Sequence, residues 1–146
     1  MIRYVLDASA LVKLVVPEDN SDKMQALAAL HRARTIQLLA PDFALTECAN
    51  VLRRYARRTG TPHADMQEAF QILCQWGVEE VGHRALVEEA LPLAMQRDRA
   101  VYDVLYLVLA LKEGVSLITI NERFVNALKP KGFSLISYSV SGVFPY

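Results

Sequence analysis

Long apolar runs are missing from this chain of 146 residues. The richest, Val104 to Leu111, falls far short of the roughly 18 uninterrupted apolar residues of a membrane span. The N-terminal apolar run is short and is broken by Asp7, so no secretory leader is expected. Cysteine is scarce as well. Cys48 and Cys74 sit in apolar helical patterns without metal-ligand spacing, and both are expected to be buried, reduced thiols. A soluble, cytoplasmic protein is the expectation.

An excess of one charge is also lacking. Sixteen Lys and Arg balance 16 Asp and Glu, for a formal net charge of +0. Nothing global draws the chain to nucleic acid, so an anionic partner needs a local basic patch. There is no Gly-rich phosphate loop and no nucleophilic Ser or Cys motif. His31, His63 and His83 show no ligand spacing, and neither Trp76 nor the tyrosines interleave with bases.

What is present is the composition of a folded domain: 53% hydrophobic and 22% charged residues. The length suits one domain, residues 1–146, with no internal repeat or linker. Short β-like runs alternate with helical patterns. The strands are "RYVL", "TIQLLA" up to Pro41, a weak "VEEV", "VSLITI" and "FSLISYS". The helices are "ASALVKLVV" stopped by Pro17, Ser21–Arg34 with Ser21 as cap, and Phe43–Arg58 stopped by Gly60. "PHADMQEAFQILCQW", "HRALVEEALPLAMQRD", "AVYDVLYLVLALKEG" and a short helix capped by Asn121 follow. Strands separated by helices imply a three-layer α/β/α domain with a mainly parallel sheet of four or five strands. The first and fourth strands are the most continuously apolar and are expected near the centre. Ligands of such sheets bind where strand order reverses, beyond the carboxyl ends of the strands. Asp7 and Asn121 follow those two strands.

Three acids stand where charge is costly: Asp7 after "YVL", Glu47 in a half-apolar helix, and Asp103 inside "AVYDVLYLVLAL". Each has a plain structural reading. Asp7 can cap a helix, Glu47 can complement a helix dipole, and Asp103 can serve as a cap. Asp98 is the better predicted cap for the helix that carries Asp103. Read together, the three acids suit a hard divalent cation such as Mg²⁺. The Asn121 amide oxygen can join them, and the Ser9 and Thr119 hydroxyls can orient a carboxylate or bound water. Glu47, Asn50, Arg54 and Arg58 lie at offsets of 3, 7 and 11 on one helix face, opposite a predicted apolar stripe of Leu45, Ala49, Leu52 and Ala56. That face can carry a phosphate backbone away from the acids, although arginines near a helix end also complement its dipole.

"YVLDASALVKL", "PDFALTECANVLRR", "YDVLYLVLAL" and "LITINERF", in this order, resemble the PIN-domain ribonucleases, and more closely the VapC toxins of type II VapBC toxin–antitoxin pairs. The resemblance implies a metal-dependent endoribonuclease. Asp7 and Asp103 would hold Mg²⁺ or Mn²⁺, Glu47 would be the third acid, and Asn121 stands where the family usually has a fourth. Ser9 and Thr119 match hydroxyl residues beside the site. Asn50, Arg54 and Arg58 would meet the RNA. Implied partners are a cognate antitoxin and a second copy of the chain, with contacts near Leu11, Val12, Val15 and Leu45. Glu122 is not expected to be a ligand. Two rivals remain. A phosphoacceptor receiver lacks its acid pair here, whereas a non-catalytic PIN-like module is favoured by Asn121 and disfavoured by the three retained acids.

Overall fold

Strand β1 (Ile2–Leu6) is buried over Tyr4, Val5 and Leu6, and it lies at the centre of the sheet. The computed structural model describes residues 1–17, 21–121, 124 and 135–137. Within them β1 is followed by α1 (Ala8–Val12), α2 (Ser21–Arg32) and β2 (Ile36–Pro41). Next come α3 (Ala44–Thr59), α4 (His63–Cys74) and β3 (Glu79–Val81), then a turn of 3₁₀ helix. The chain continues through α5 (Val87–Arg97), α6 (Val101–Glu113), β4 (Ser116–Thr119) and β5 (Leu135–Ser137). The five strands run in the order β3-β2-β1-β4-β5, and every pair is parallel.

That order explains the layers. Strands β1 to β3 step one way and β4 to β5 step the other, so order reverses between β1 and β4. Right-handed crossovers then put α1–α4 on one face and α5–α6 on the other. Helix α6 shows the consequence for packing. Its residues Val104 to Ala110 are all buried, and it packs on β1, β2 and β4 on one side and on α5 on the other. A helix that is apolar all round is stable only in such a sandwich. Each of its buried leucines contributes on the order of 2 kcal/mol.

The helix boundaries differ from the sequence reading in places. Helix α1 ends at Val12, and Lys13 to Val15 form a turn before Pro17. The buried line of α3 is Ala44, Cys48 and Leu52, while Ala49 is exposed. The stripe is rotated from the predicted one because α3 packs on both α1 and α4, and small Ala49 tolerates the water side. Cys74 is exposed and only Cys48 is buried, because α4 turns Ala69 and Leu73 inward instead. Asp98 caps no N-terminus. It closes α5 in the left-handed conformation (φ 51°), which Asp tolerates, and Ala100 precedes α6. Leu11 and Val12 are 1% and 3% exposed, so they belong to the core rather than to a subunit contact. The Ser21 side chain, Glu122 and most of the helix expected after Asn121 lie outside the described residues.

Candidate active site

All the candidate acids start from the carboxyl edge of the sheet. Asp7 follows β1, Glu47 lies in the first turn of α3 just after β2, and Asp103 lies in the first turn of α6. Helix N-termini place partial positive charge there, which favours carboxylates.

Asp7 is 7% exposed and does two things at once. It is the N-cap of α1, and its Oδ1 accepts from the Ala10 backbone N–H at 3.0 Å. The same oxygen accepts from Ser9 Oγ at 2.6 Å. Thr119, fully buried, brings its Oγ1 to 3.4 Å from Ser9 Oγ. The backbone N–H of Ile120 donates to Ser9 Oγ (3.3 Å), and that of Asn121 donates to Thr119 Oγ1 (3.1 Å). Ser9 and Thr119 therefore tie the end of β4 to Asp7. The Asp7 N–H also reaches the Ile118 carbonyl at 3.2 Å.

Glu47 is half-buried, and Tyr106 Oη donates to its Oε2 at 2.9 Å. Tyr106 sits three residues after Asp103 on α6, on the same side of the helix. Edge-on packing of Phe43 against both Tyr106 and Tyr102 closes this wall, with ring centroids 5.4 and 5.5 Å apart.

The acids are pushed towards protonation. Burial raises Asp7 above the usual carboxylate range. Its hydrogen bonds to Ser9, Thr119 and Ala10 oppose the shift, and the charge of Asp103 adds to it. Burial also raises Glu47, against the Tyr106 hydrogen bond, and the charges of Asp103 and Asp7 raise it further while Arg54 opposes them. Asp103 is raised by burial, with Arg99 offsetting in part. Desolvated carboxylates that repel each other in this way suit a cation placed among them. No three Asp, Glu, His or Cys side chains among the described residues form a ready cage for an ion. The donor set fits a cation held by one or two carboxylates and water, the usual manner of Mg²⁺.

Asn121 follows β4 as expected, and its Oδ1 accepts from the Phe124 N–H at 3.2 Å. Asn50 is exposed and its Oδ1 accepts from Arg53 Nε at 3.2 Å. Arg54 and Arg58 line a cavity with Val12, Val51 and Tyr55. They lie beside the buried face of α3 rather than opposite it. Tyr106 and Phe43 escaped the sequence reading. The spacing of Tyr106 from Asp103 was the available signal, but its partner is on another helix.

Residues 4–129 match the PIN domain family. The chain is 31% identical to ribonuclease VapC3 of Pyrobaculum aerophilum over 124 residues, which is 84% of this chain and 92% of that protein. It belongs to the PIN-domain family and is similar to the VapC ribonucleases within it. Three solved structures share the fold. PAE2754 from Pyrobaculum aerophilum has a TM-score of 0.67 at 20% identity, covering 95% of this chain and 91% of that one. VapBC2 from Rickettsia felis, bound to a promoter DNA fragment, has a TM-score of 0.64 at 15% identity, covering 94% and 100%. VapBC-1 from nontypeable Haemophilus influenzae has a TM-score of 0.55 at 13% identity, covering 96% and 99%.

Proposed function

We propose that the protein is a metal-dependent endoribonuclease, the toxin of a VapBC-type pair. The observation that carries this reading is the placement of Asp7, Glu47 and Asp103 at helix N-termini along the carboxyl edge of the sheet, each pushed above the usual carboxylate range chiefly by burial. Asp7 and Asp103 are the ligands for Mg²⁺ or Mn²⁺, and Ser9 and Thr119 hold Asp7 in position. When bound, the cation supplies Lewis-acid polarisation of the scissile phosphate. Glu47 orients the attacking water, and the Tyr106 hydroxyl fixes the carboxylate for that task. Arg54 and Arg58 hold the strand as it leaves the site. Asn121 leaves this pocket one charge short of four acids, which weakens a second cation more than the first.

The partner is a cognate antitoxin, a reading supported by the VapBC structures that share the fold. A second copy of the chain is the other proposed partner. Val87, Leu91 and Met95, spaced by four residues on α5, are exposed and form an apolar line suited to it. No described helix is long and apolar enough to cross a membrane, and a cytoplasmic location is proposed with the toxin role.

The test is hydrolysis of a labelled structured RNA by the purified protein. Cleavage is expected with Mg²⁺ or Mn²⁺ and none with EDTA. Cleavage that persists in EDTA contradicts the metal-dependent reading. RNA that is bound in Mg²⁺ but left intact favours the non-catalytic module.

A further inference from the structure

Arg99 stands in the turn between α5 and α6, two residues before α6 begins and four before Asp103. Its backbone is fixed there, since its N–H donates to the Ala94 carbonyl at 3.1 Å. The side chain is half-buried and leans on Phe124, with the guanidinium carbon 5.6 Å from the ring centroid. Phe124 is 1% exposed, and its N–H is the donor to Asn121 Oδ1. Arg99 is thereby tied to the two walls that carry Asp103 and Asn121. Its positive charge reaches Asp103, where it opposes the upward push of burial. What Arg99 lacks is an anion. Among the described residues no carboxylate forms an ion pair with it. Its Nε, shielded from water, has no hydrogen-bond partner. The Phe124 ring supports the charge but offers no oxygen acceptor. A shielded donor without an acceptor destabilises the fold, and a half-buried charge without a counter-ion does so further.

We propose that Arg99 is a catalytic residue: its guanidinium binds the scissile phosphate beside Asp103 and supplies the positive charge that a fourth acid at position 121 would recruit as a second cation. The inference rests on the ribonuclease reading and goes beyond it. A pocket with a fourth carboxylate can hold two cations, which together neutralise the phosphate. Here Asn121 brings no charge, and Arg99 brings a positive one that is fixed by the fold and independent of cation concentration. The reaction it assists is hydrolysis. The water oxygen bonds to phosphorus and the bond to the leaving ribose oxygen breaks. One water proton passes to the leaving oxygen and the other to solvent. Negative charge concentrates on the phosphate during this exchange, and a guanidinium fork can donate to two phosphate oxygens at once. Arg99 holds its own protons throughout, since its side chain stays charged.

The test compares the full chain with Arg99→Met, Arg99→Lys and the double variant Arg99→Met/Asn121→Asp, each checked for folding by circular dichroism. Met keeps the length and an apolar contact with Phe124, whereas Lys keeps the charge without the fork. Calorimetric titration with Mg²⁺ alone, without RNA, comes first. Removing a positive charge that faces the pocket should let Arg99→Met bind Mg²⁺ several-fold more tightly than the wild type, while Arg99→Lys binds it about equally. Weaker binding by Arg99→Met makes Arg99 a prop that holds Asp103 in place, and unchanged binding sets its charge outside the pocket. Either result overturns the proposal. Single-turnover cleavage of a labelled structured RNA at saturating Mg²⁺ follows. Arg99→Met should lose about a hundred-fold in rate, the scale of removing one donor to a developing charge, with Arg99→Lys in between. The double variant should regain part of that rate as Mg²⁺ is raised, because its added acid invites a second cation. The proposal is overturned if Arg99→Met is as fast as the wild type, or if the double variant is no faster than Arg99→Met at any Mg²⁺ concentration. It is also overturned if an acidic peptide requires Arg99 for binding while cleavage does not. Its failure is distinct from that of the nuclease reading. Equal Mg²⁺-dependent cleavage by wild type and Arg99→Met removes Arg99 and keeps the nuclease. A wild type that binds Mg²⁺ but cuts no RNA removes both.

Discussion

Replacing Asp7 by Asn is expected to stabilise the metal-free fold while abolishing activity. Asp7 is almost fully buried, and burial raises its pKa despite three hydrogen bonds. An acid whose folded pKa is raised favours folding below its unfolded pKa, near 3.8 here, and loses that contribution as pH rises through the folded value. At pH 7 the wild type therefore bears the cost of holding this acid in a buried place. Asn keeps the cap of α1, since Asn and Asp cap equally well, and its amide oxygen still accepts from Ala10 and Ser9. The gain should be about 1–3 kcal/mol, the scale on which a poorly matched buried polar group destabilises a fold. For a chain of this length that corresponds to a rise in Tm of very roughly 3–10 °C. Differential scanning calorimetry in EDTA is the assay. The gap between variant and wild type should be widest at neutral pH and close as pH falls towards 3.8. Added Mg²⁺ should raise the wild-type Tm and leave the variant unmoved, since a ligand stabilises only the state that binds it. A variant less stable than wild type in EDTA at pH 7, or a gap independent of pH, refutes the reasoning.

Other perturbations reach the remaining parts of the site. Tyr106→Phe removes the hydrogen bond that lowers the pKa of Glu47, so the acid limb of the pH–rate profile should move to higher pH. An unmoved limb takes Glu47 out of the rate-determining ionisation. Asn121→Asp preserves the side-chain acceptor for Phe124 and adds a charge to the site, so calorimetric titration should show tighter Mg²⁺ binding. Unchanged affinity removes Asn121 from the metal pocket. Leu91→Glu places a charge in the apolar line of α5, where Leu91 is 50% exposed, and light scattering should show a smaller particle with the fold intact. An unchanged mass assigns self-association to another surface.

Sequence pattern reached the sheet more surely than the details of the site. Four of the strands were legible as short apolar runs and β3, which carries Glu79 and Glu80, only weakly, while the apolar content of β1 and β4 indicated their place inside the sheet. Charge within apolar surroundings marked Asp7, Glu47 and Asp103, because burying a carboxylate without a role is costly. The contacts that join them were not legible. Tyr106 reaches Glu47 across 59 positions and Thr119 reaches Ser9 across 110, and only the sheet order creates those encounters. The rotated stripe of α3 has a similar origin. Periodicity showed that α3 is amphipathic, but its orientation depends on α1 and α4, which decide that Cys48 rather than Ala49 is covered. That rotation carries Arg54 and Arg58 to the border of the buried face, where a cavity forms. Asp98 was misread because a residue between two helices can end one or begin the next, and only its φ distinguishes them.

The most direct measurement is single-turnover cleavage of one RNA by the wild type and by Asp103→Asn, with and without Mg²⁺, after circular dichroism has shown both folded. Asp103 is only half-buried, so its substitution spares the core. The expected result is Mg²⁺-dependent cleavage by the wild type and a loss of at least a hundred-fold in the variant, roughly the scale of removing a key electrostatic group from an active site. Equal rates for the two proteins, or cleavage indifferent to Mg²⁺, would contradict a metal-dependent nuclease built on these three carboxylates.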